Sequence, residues 1–119
     1  MEHIDPHACT HLIYSFSGLH EETGRMYSLD AWLDLGDGEI DELAPPSNQL
    51  GGLDMMRKTT ALKQQNPDLK VLLAVGGWNE GSEKYSKMVA SPEKRRNFTI
   101  SASYFMARYG FDGLDLDWE

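Results

Sequence analysis

Five apolar residues in a row, Val71-Leu72-Leu73-Ala74-Val75, stand between Lys70 and the pair Gly76-Gly77. A strand with one face in water alternates apolar and polar residues. A strand covered on both faces does not, so residues 70–77 read as a buried strand. Such strands belong to parallel sheets, and parallel neighbours need crossover connections, usually helical. Residues 10–19 carry a looser version of the pattern, with Leu12, Ile13, Tyr14 and Phe16 nearly continuous.

The rest of the chain supplies the crossovers. Residues 20–53 are polar, with turn signals at Gly36-Asp37-Gly38, Pro45-Pro46 and Gly51-Gly52, and Trp32 is the large aromatic in their middle. This reads as a long loop with at most short structure, of the kind that more often carries function than not. Residues 53–65 have helical composition, with Leu53, Met56, Thr60 and Leu62 near a 3.6 period, and Asn66-Pro67 ends the helix. Ser82 is placed to open a short helix through Met88. Ser91-Pro92 then reads as an N-cap followed by proline at the first helical position. Phe98, Ala102, Phe105, Met106 and Tyr109 form the apolar face of that helix, and Gly110 is its stop. A third strand, residues 112–119, follows. The order strand, long loop, helix, strand, helix, strand predicts parallel pairing with right-handed crossovers. In such folds ligands bind at the carboxyl ends of the strands.

The third strand carries the chemistry. With a period of two, Asp115, Asp117 and Glu119 fall on one face, while Leu114, Leu116 and Trp118 fall on the other. Successive carboxyls stand roughly 6 to 7 Å apart, twice the rise per residue. Three uses are open to such a row. Hard cations accept clustered carboxylates, but the strand geometry fits no calcium-loop pattern. Strand-end acids can simply face water, although the apolar company on both sides argues against it. General-acid chemistry fits best, because like charges at this spacing resist simultaneous ionisation and favour a proton held on the row.

Gly76-Gly77-Trp78-Asn79 closes the second strand, where two glycines permit a bulge or a close backbone approach to a ligand. Trp78 could stack on a sugar ring or pack in a core, and Phe16, near the end of the first strand, carries the same ambiguity. The net charge of -8 and a pI near 4.9 argue against nucleic acid and against an anionic membrane surface, and fit a neutral substrate. No apolar run approaches the roughly 18 residues of a membrane span, and the amino-terminal residues lack the basic and apolar regions of a signal peptide. Cys9 is the one cysteine. It reads as a small buried hydrophobe, a catalytic thiol being unsupported, with a disulfide to a partner outside this chain as the remaining option.

The final segment, Asp112-Gly113-Leu114-Asp115-Leu116-Asp117-Trp118-Glu119, fills every fixed position of the signature Asp-Gly-x-Asp-x-Asp-x-Glu and resembles glycoside hydrolase family 18, the chitinases. Residues 9–16 (Cys9-Thr10-His11-Leu12-Ile13-Tyr14-Ser15-Phe16) and 73–82 (Leu73 through Ser82) are also similar to the animal, arthropod-like members, so the resemblance covers nearly the whole chain. Ala74 stands where the family often has serine, a change that many animal members tolerate. The resemblance implies an α/β fold, a fragment holding about strands 2 to 4 of a (β/α)8 TIM barrel. Residues 1–119 would be a partial catalytic domain truncated at both ends, since such barrels need about 250 residues.

It further implies hydrolysis of β-1,4-linked N-acetylglucosamine polymers, without metal or other cofactor. The substrate's own acetamido oxygen would act as nucleophile, an exception to the two-carboxylate scheme. Glu119 would be the general acid, Asp117 would orient the acetamido group, and Asp115 would share a proton with Asp117. Phe16, Trp32, Gly76, Gly77, Trp78 and Asn79 would bind substrate, while Asp112, on the other face, would be structural. The same resemblance implies a secreted protein and pairs Cys9 with an upstream cysteine. The alternative is a chitinase-like lectin that binds the sugar without cleaving it. Such relatives typically lose the acid at the position of Glu119, which is present here.

Overall fold

The computed structural model describes residues 4–44 and 47–118. Four strands, β1 (His11–Leu19), β2 (Met26–Ser28), β3 (Lys70–Gly76) and β4 (Gly113–Asp117), form one sheet in the order β2-β1-β3-β4. β1 runs parallel to β3, and β3 to β4, in the sequence order that the apolar runs predict. β2 is additional: it folds back antiparallel on the end of β1, pairing Ser28 with Ser17 and Met26 with Leu19. Three residues are too few to show a period.

The helices are α1 (Ala31–Asp34), α2 (Met55–Thr60), α3 (Glu83–Ala90) and α4 (Pro92–Tyr109), with a 3₁₀ turn over Ala61–Gln64 continuing α2. The ends of α4 are built as its sequence requires. The Ser91 hydroxyl accepts the Lys94 N–H at 3.2 Å, Pro92 follows it, and Gly110 closes the helix at φ +84° with its N–H donated to Met106 O at 2.9 Å.

Val71, Leu73 and Val75 of β3 enter the hydrophobic core with Leu12, Tyr14 and Leu114, packed against Met56, Leu62, Phe105 and Tyr109 of the helical layer. By alternation, Ile13, Leu72, Ala74, Asp115 and Asp117 belong to the opposite face, and none of them joins that core. Ile13 remains 49% exposed. The expectation that both faces of β1 are covered therefore fails among the described residues, because the helices lie on one side only. Leu116 and Trp118 are also 45% and 40% exposed, so the apolar side of the acid row is only partly covered. β4 is an edge strand with β3 as its sole neighbour among the described residues. Cys9 is an exposed free thiol and not the buried hydrophobe expected.

Two carboxylates hold the long loop down. Glu39 accepts from Arg57 at 2.5 and 3.0 Å, from Arg108 Nε at 2.7 Å and from the Gly36 N–H at 2.8 Å. The Arg57 guanidinium above all, with the Gly36 N–H and Arg108, outweighs burial and holds the Glu39 carboxyl down to about 2. Asp34, at the end of α1, is buried. It accepts from the Tyr14 hydroxyl and, at 2.6 Å, from Ser28 Oγ. Burial pushes its carboxyl above the ordinary carboxylate range despite those bonds.

Candidate active site

The carboxyl ends of β1, β3 and β4 converge at one end of the sheet. The parallel register sets Asp115 beside Ala74 and Asp117 beside Gly76. Residues paired in register share a face, so both acids stand on the side away from the helices, with small neighbours next to them. Small neighbours leave the acids open, and a larger side chain at Ala74 or Gly76 would crowd them.

The two glycines are required by the protein itself. Gly76 has φ +113°, and a Cβ there would stand 2.2 Å from the Asp117 carbonyl oxygen. Gly77 has φ +94°, its N–H donates to that same oxygen at 2.8 Å, and a Cβ would meet the Phe16 ring at 3.2 Å. The close approach, expected toward a ligand, is made within the chain to the Asp117 backbone and to Phe16. Sequence alone could not say which group the glycines admit.

Phe16 reaches this point through an irregularity in β1. Tyr14 pairs with Leu73 and Ser17 with Val75, so Ser15 and Phe16 together oppose Ala74. Such a bulge re-aims side chains, and Phe16 is left 40% exposed against the glycine pair. Trp78 opens a 3₁₀ turn (Trp78–Glu80) directly after the glycines and is 83% exposed. An indole that open is no core residue, which rejects the packing reading of Trp78. Asn79 lies in the same turn. Asp112 sits at the far end of β4, where its Oδ2 accepts the Val71 N–H at 2.8 Å and it pairs with Lys63 at 3.2 Å. Burial opposes its charge, but the Val71 N–H and Lys63 outweigh it and hold its pKa below the ordinary value. It is the structural strand-entry residue expected.

Trp32 is not gathered with these residues. It lies in α1 and lines a separate recess of about 400 Å³ with Ser47, Asn48, Gln49 and Leu50, all from the long loop. Glu119 lies outside the described residues.

Two residues escaped the sequence reading. Glu80 accepts from the Leu19 N–H at 2.8 Å, from Lys84 Nζ at 2.6 Å and from the Tyr85 hydroxyl at 3.2 Å. Tyr85 is fully buried, and its ring stacks on Trp118 with centroids 6.2 Å apart. Its hydroxyl is pushed well above its ordinary pKa, by burial first and then by Glu80, with Asp117 adding to it. The i,i+4 spacing of Glu80 and Lys84 was the available signal. Among the described residues no cluster of histidine, cysteine and carboxylate side chains could hold a metal ion.

The family model for glycosyl hydrolases family 18 matches residues 1–119. The chain belongs to that family. It is 44% identical over all 119 residues to "Probable chitinase 2" of Drosophila melanogaster, covering 22% of that protein. It matches the crystal structure of the Ostrinia furnacalis group IV chitinase in complex with allosamidin at 43% identity and a TM-score of 0.79, over 98% of this chain and 26% of that one. It is also similar to human YKL-39, described as a pseudo-chitinase with retained chitooligosaccharide binding, at 31% identity and a TM-score of 0.68, over 98% of this chain and 26% of that one. The family 18 chain therefore spans roughly a quarter or less of the proteins it matches. Its parallel β1, β3 and β4 are part of the family's (β/α)8 barrel, within a mixed sheet that β2 extends. Three parallel strands do not close a barrel.

Proposed function

We propose that residues 1–119 are part of the catalytic domain of a chitinase, an enzyme that hydrolyses β-1,4-linked N-acetylglucosamine polymers with retention of configuration. The observation that carries this reading is the meeting of Phe16, Gly77 and the Asp117 backbone at the carboxyl ends of three parallel strands, with an 83% exposed Trp78 beside them. Trp78 offers a sugar ring an aromatic face, and Gly76, Gly77, Asn79 and Phe16 line the floor beneath it. Trp32 would contact substrate from the recess it lines with the long loop. Glu119, next in the period after Asp115 and Asp117, protonates the glycosidic oxygen. Asp117 holds the substrate's acetamido group, whose oxygen attacks the anomeric carbon as the leaving group departs. Asp115 sits two residues back, roughly 6 to 7 Å along the strand, and tunes the charge on Asp117. No cofactor enters this scheme.

The likeness to YKL-39 supports a second reading, a sugar-binding protein without turnover. Glu119, retained in the sequence, favours hydrolysis. Secretion, and a disulfide from the exposed Cys9 to an upstream cysteine, complete the proposal; an oxidising compartment is where such a bond persists.

The test uses a complete barrel carrying these residues. Asp117→Asn should lower kcat on chito-oligosaccharides by about 10²-fold or more, within the range for removing a positioned acid or base group, and Glu119→Gln should abolish turnover with binding intact. Near-normal kcat in Asp117→Asn would sink the assisted mechanism. Binding by the wild type without turnover would establish the lectin reading instead.

A further inference from the structure

The turn that presents Trp78 is tied to β4 at its start by the Gly77 N–H on Asp117 O at 2.8 Å and, beyond Gly77, is held among the described residues by one side chain. It runs from Gly77 (φ +94°) to Gly81 (φ +72°), two glycines in a conformation other residues avoid. Its own bonds are local: Glu80 N–H to Gly77 O at 3.1 Å and Gly81 N–H to Trp78 O at 3.4 Å. Among the described residues, no hydrogen bond leads from Trp78, Asn79 or Gly81 to another element. The Glu80 carboxylate does make that connection, in three directions. Oε1 takes the N–H of Leu19, the buried last residue of β1, at 2.8 Å. The same oxygen takes the hydroxyl of buried Tyr85 at 3.2 Å, and Oε2 takes Lys84 Nζ at 2.6 Å. Tyr85 in turn stacks on Trp118, the neighbour of Asp117.

We propose that Glu80 is a positioning residue for substrate binding: its carboxylate fixes the Trp78 turn to the end of β1 and to α3, so that the indole is already in place when a sugar ring arrives. The proposal rests on the chitinase reading above. A charge-assisted anchor between two glycines at positive φ removes ordering that the ligand would otherwise have to supply. The effect therefore belongs to binding and is transmitted through Trp78.

The experiment measures KM, kcat and oligosaccharide affinity by tryptophan fluorescence in the complete barrel, for Glu80→Ala, Glu80→Gln, Trp78→Ala and the Glu80→Ala/Trp78→Ala double variant. Glu80→Ala should raise KM about tenfold with kcat within about threefold, equivalent to one factor of ten in affinity. Glu80→Gln keeps an acceptor for Leu19 and Tyr85 and should recover most of the loss. The double variant should bind no worse than Trp78→Ala alone, because the anchor has nothing left to hold. Additive losses, or a lowered melting temperature with unchanged KM, would overturn the proposal. Should Glu80→Ala prove insoluble, Glu80→Asp, one methylene too short, replaces it with the same expectations. A wild type that binds oligosaccharide without cleaving it would refute the hydrolytic reading while leaving the affinity comparison in force. A wild type that does neither would overturn both.

Discussion

Replacing Gly76 with alanine tests how the contact between β3 and β4 places the acids. The added Cβ would lie 2.2 Å from the Asp117 carbonyl oxygen, and its backbone would be held at φ +113°. Non-bonded carbon and oxygen come no closer than about 3.3 Å even in the tight Cα–H···O contacts between strands, so the two strands must part by about 1 Å. Two costs follow. Backbone strain at positive φ is about 1–3 kcal/mol. The displacement falls on the residue that would hold the acetamido group, and a 1 Å error at a reacting centre can cost about 10²-fold in rate. Gly38→Ala separates these costs, since Gly38 has φ +85° but nothing within 4 Å of its Cβ position. Both variants should lose stability from strain, and Gly76→Ala more because its strands must also part, read as melting temperature in the complete barrel. Only Gly76→Ala should lose kcat, by about 10²-fold. Equal kcat in the two variants would refute the claim that the β3–β4 contact sets the position of Asp117.

Two further outcomes follow from charges and caps. Glu39 is lowered from 4.5 to about 2, which at 1.36 kcal/mol per pK unit is about 3 kcal/mol in full. Its partners Arg57 and Arg108 are 36% and 42% exposed, so solvent screening leaves about 1–2 kcal/mol. A depressed carboxyl stabilises the fold above its unfolded pKa, so this contribution should be whole above about pH 5 and vanish as pH falls toward 2. Glu39→Gln should flatten that part of the stability–pH curve from acid denaturation, and an unchanged slope would count against the anchor. Ser91→Ala should destabilise by about 1 kcal/mol through loss of the N-cap bond to Lys94, read by chemical denaturation; no change would mean that water replaces the cap.

The three parallel strands and the ends of α4 were legible because their signals are local. An unbroken apolar run marks β3, and Ser91-Pro92 and Gly110 mark a helix by backbone chemistry alone. The loop was not legible. Glu39 lies in an acidic, glycine-rich stretch that reads as solvated, and its partners Arg57 and Arg108 are 18 and 69 residues away. Asp34 lies in the same polar stretch, and its partners Tyr14 and Ser28 stand 20 and 6 residues away. At the site, the convergence of Phe16, Gly77 and Asp117 followed from topology. The exclusion of Trp32 from that group did not, because the path of a long loop is set by distant contacts.

The β3–β4 pair is pinned at both ends, by the Asp112 carboxylate on the Val71 N–H and by the Gly77 N–H on the Asp117 carbonyl, each at 2.8 Å. Sliding β4 by one residue would exchange every acid on the open face for a leucine or tryptophan. Such a slip yields no weakened intermediate catalyst, only a chain with its acids turned toward the helices. The two bonds at its ends therefore hold β4 in the one register that keeps Asp115 and Asp117 on the open face.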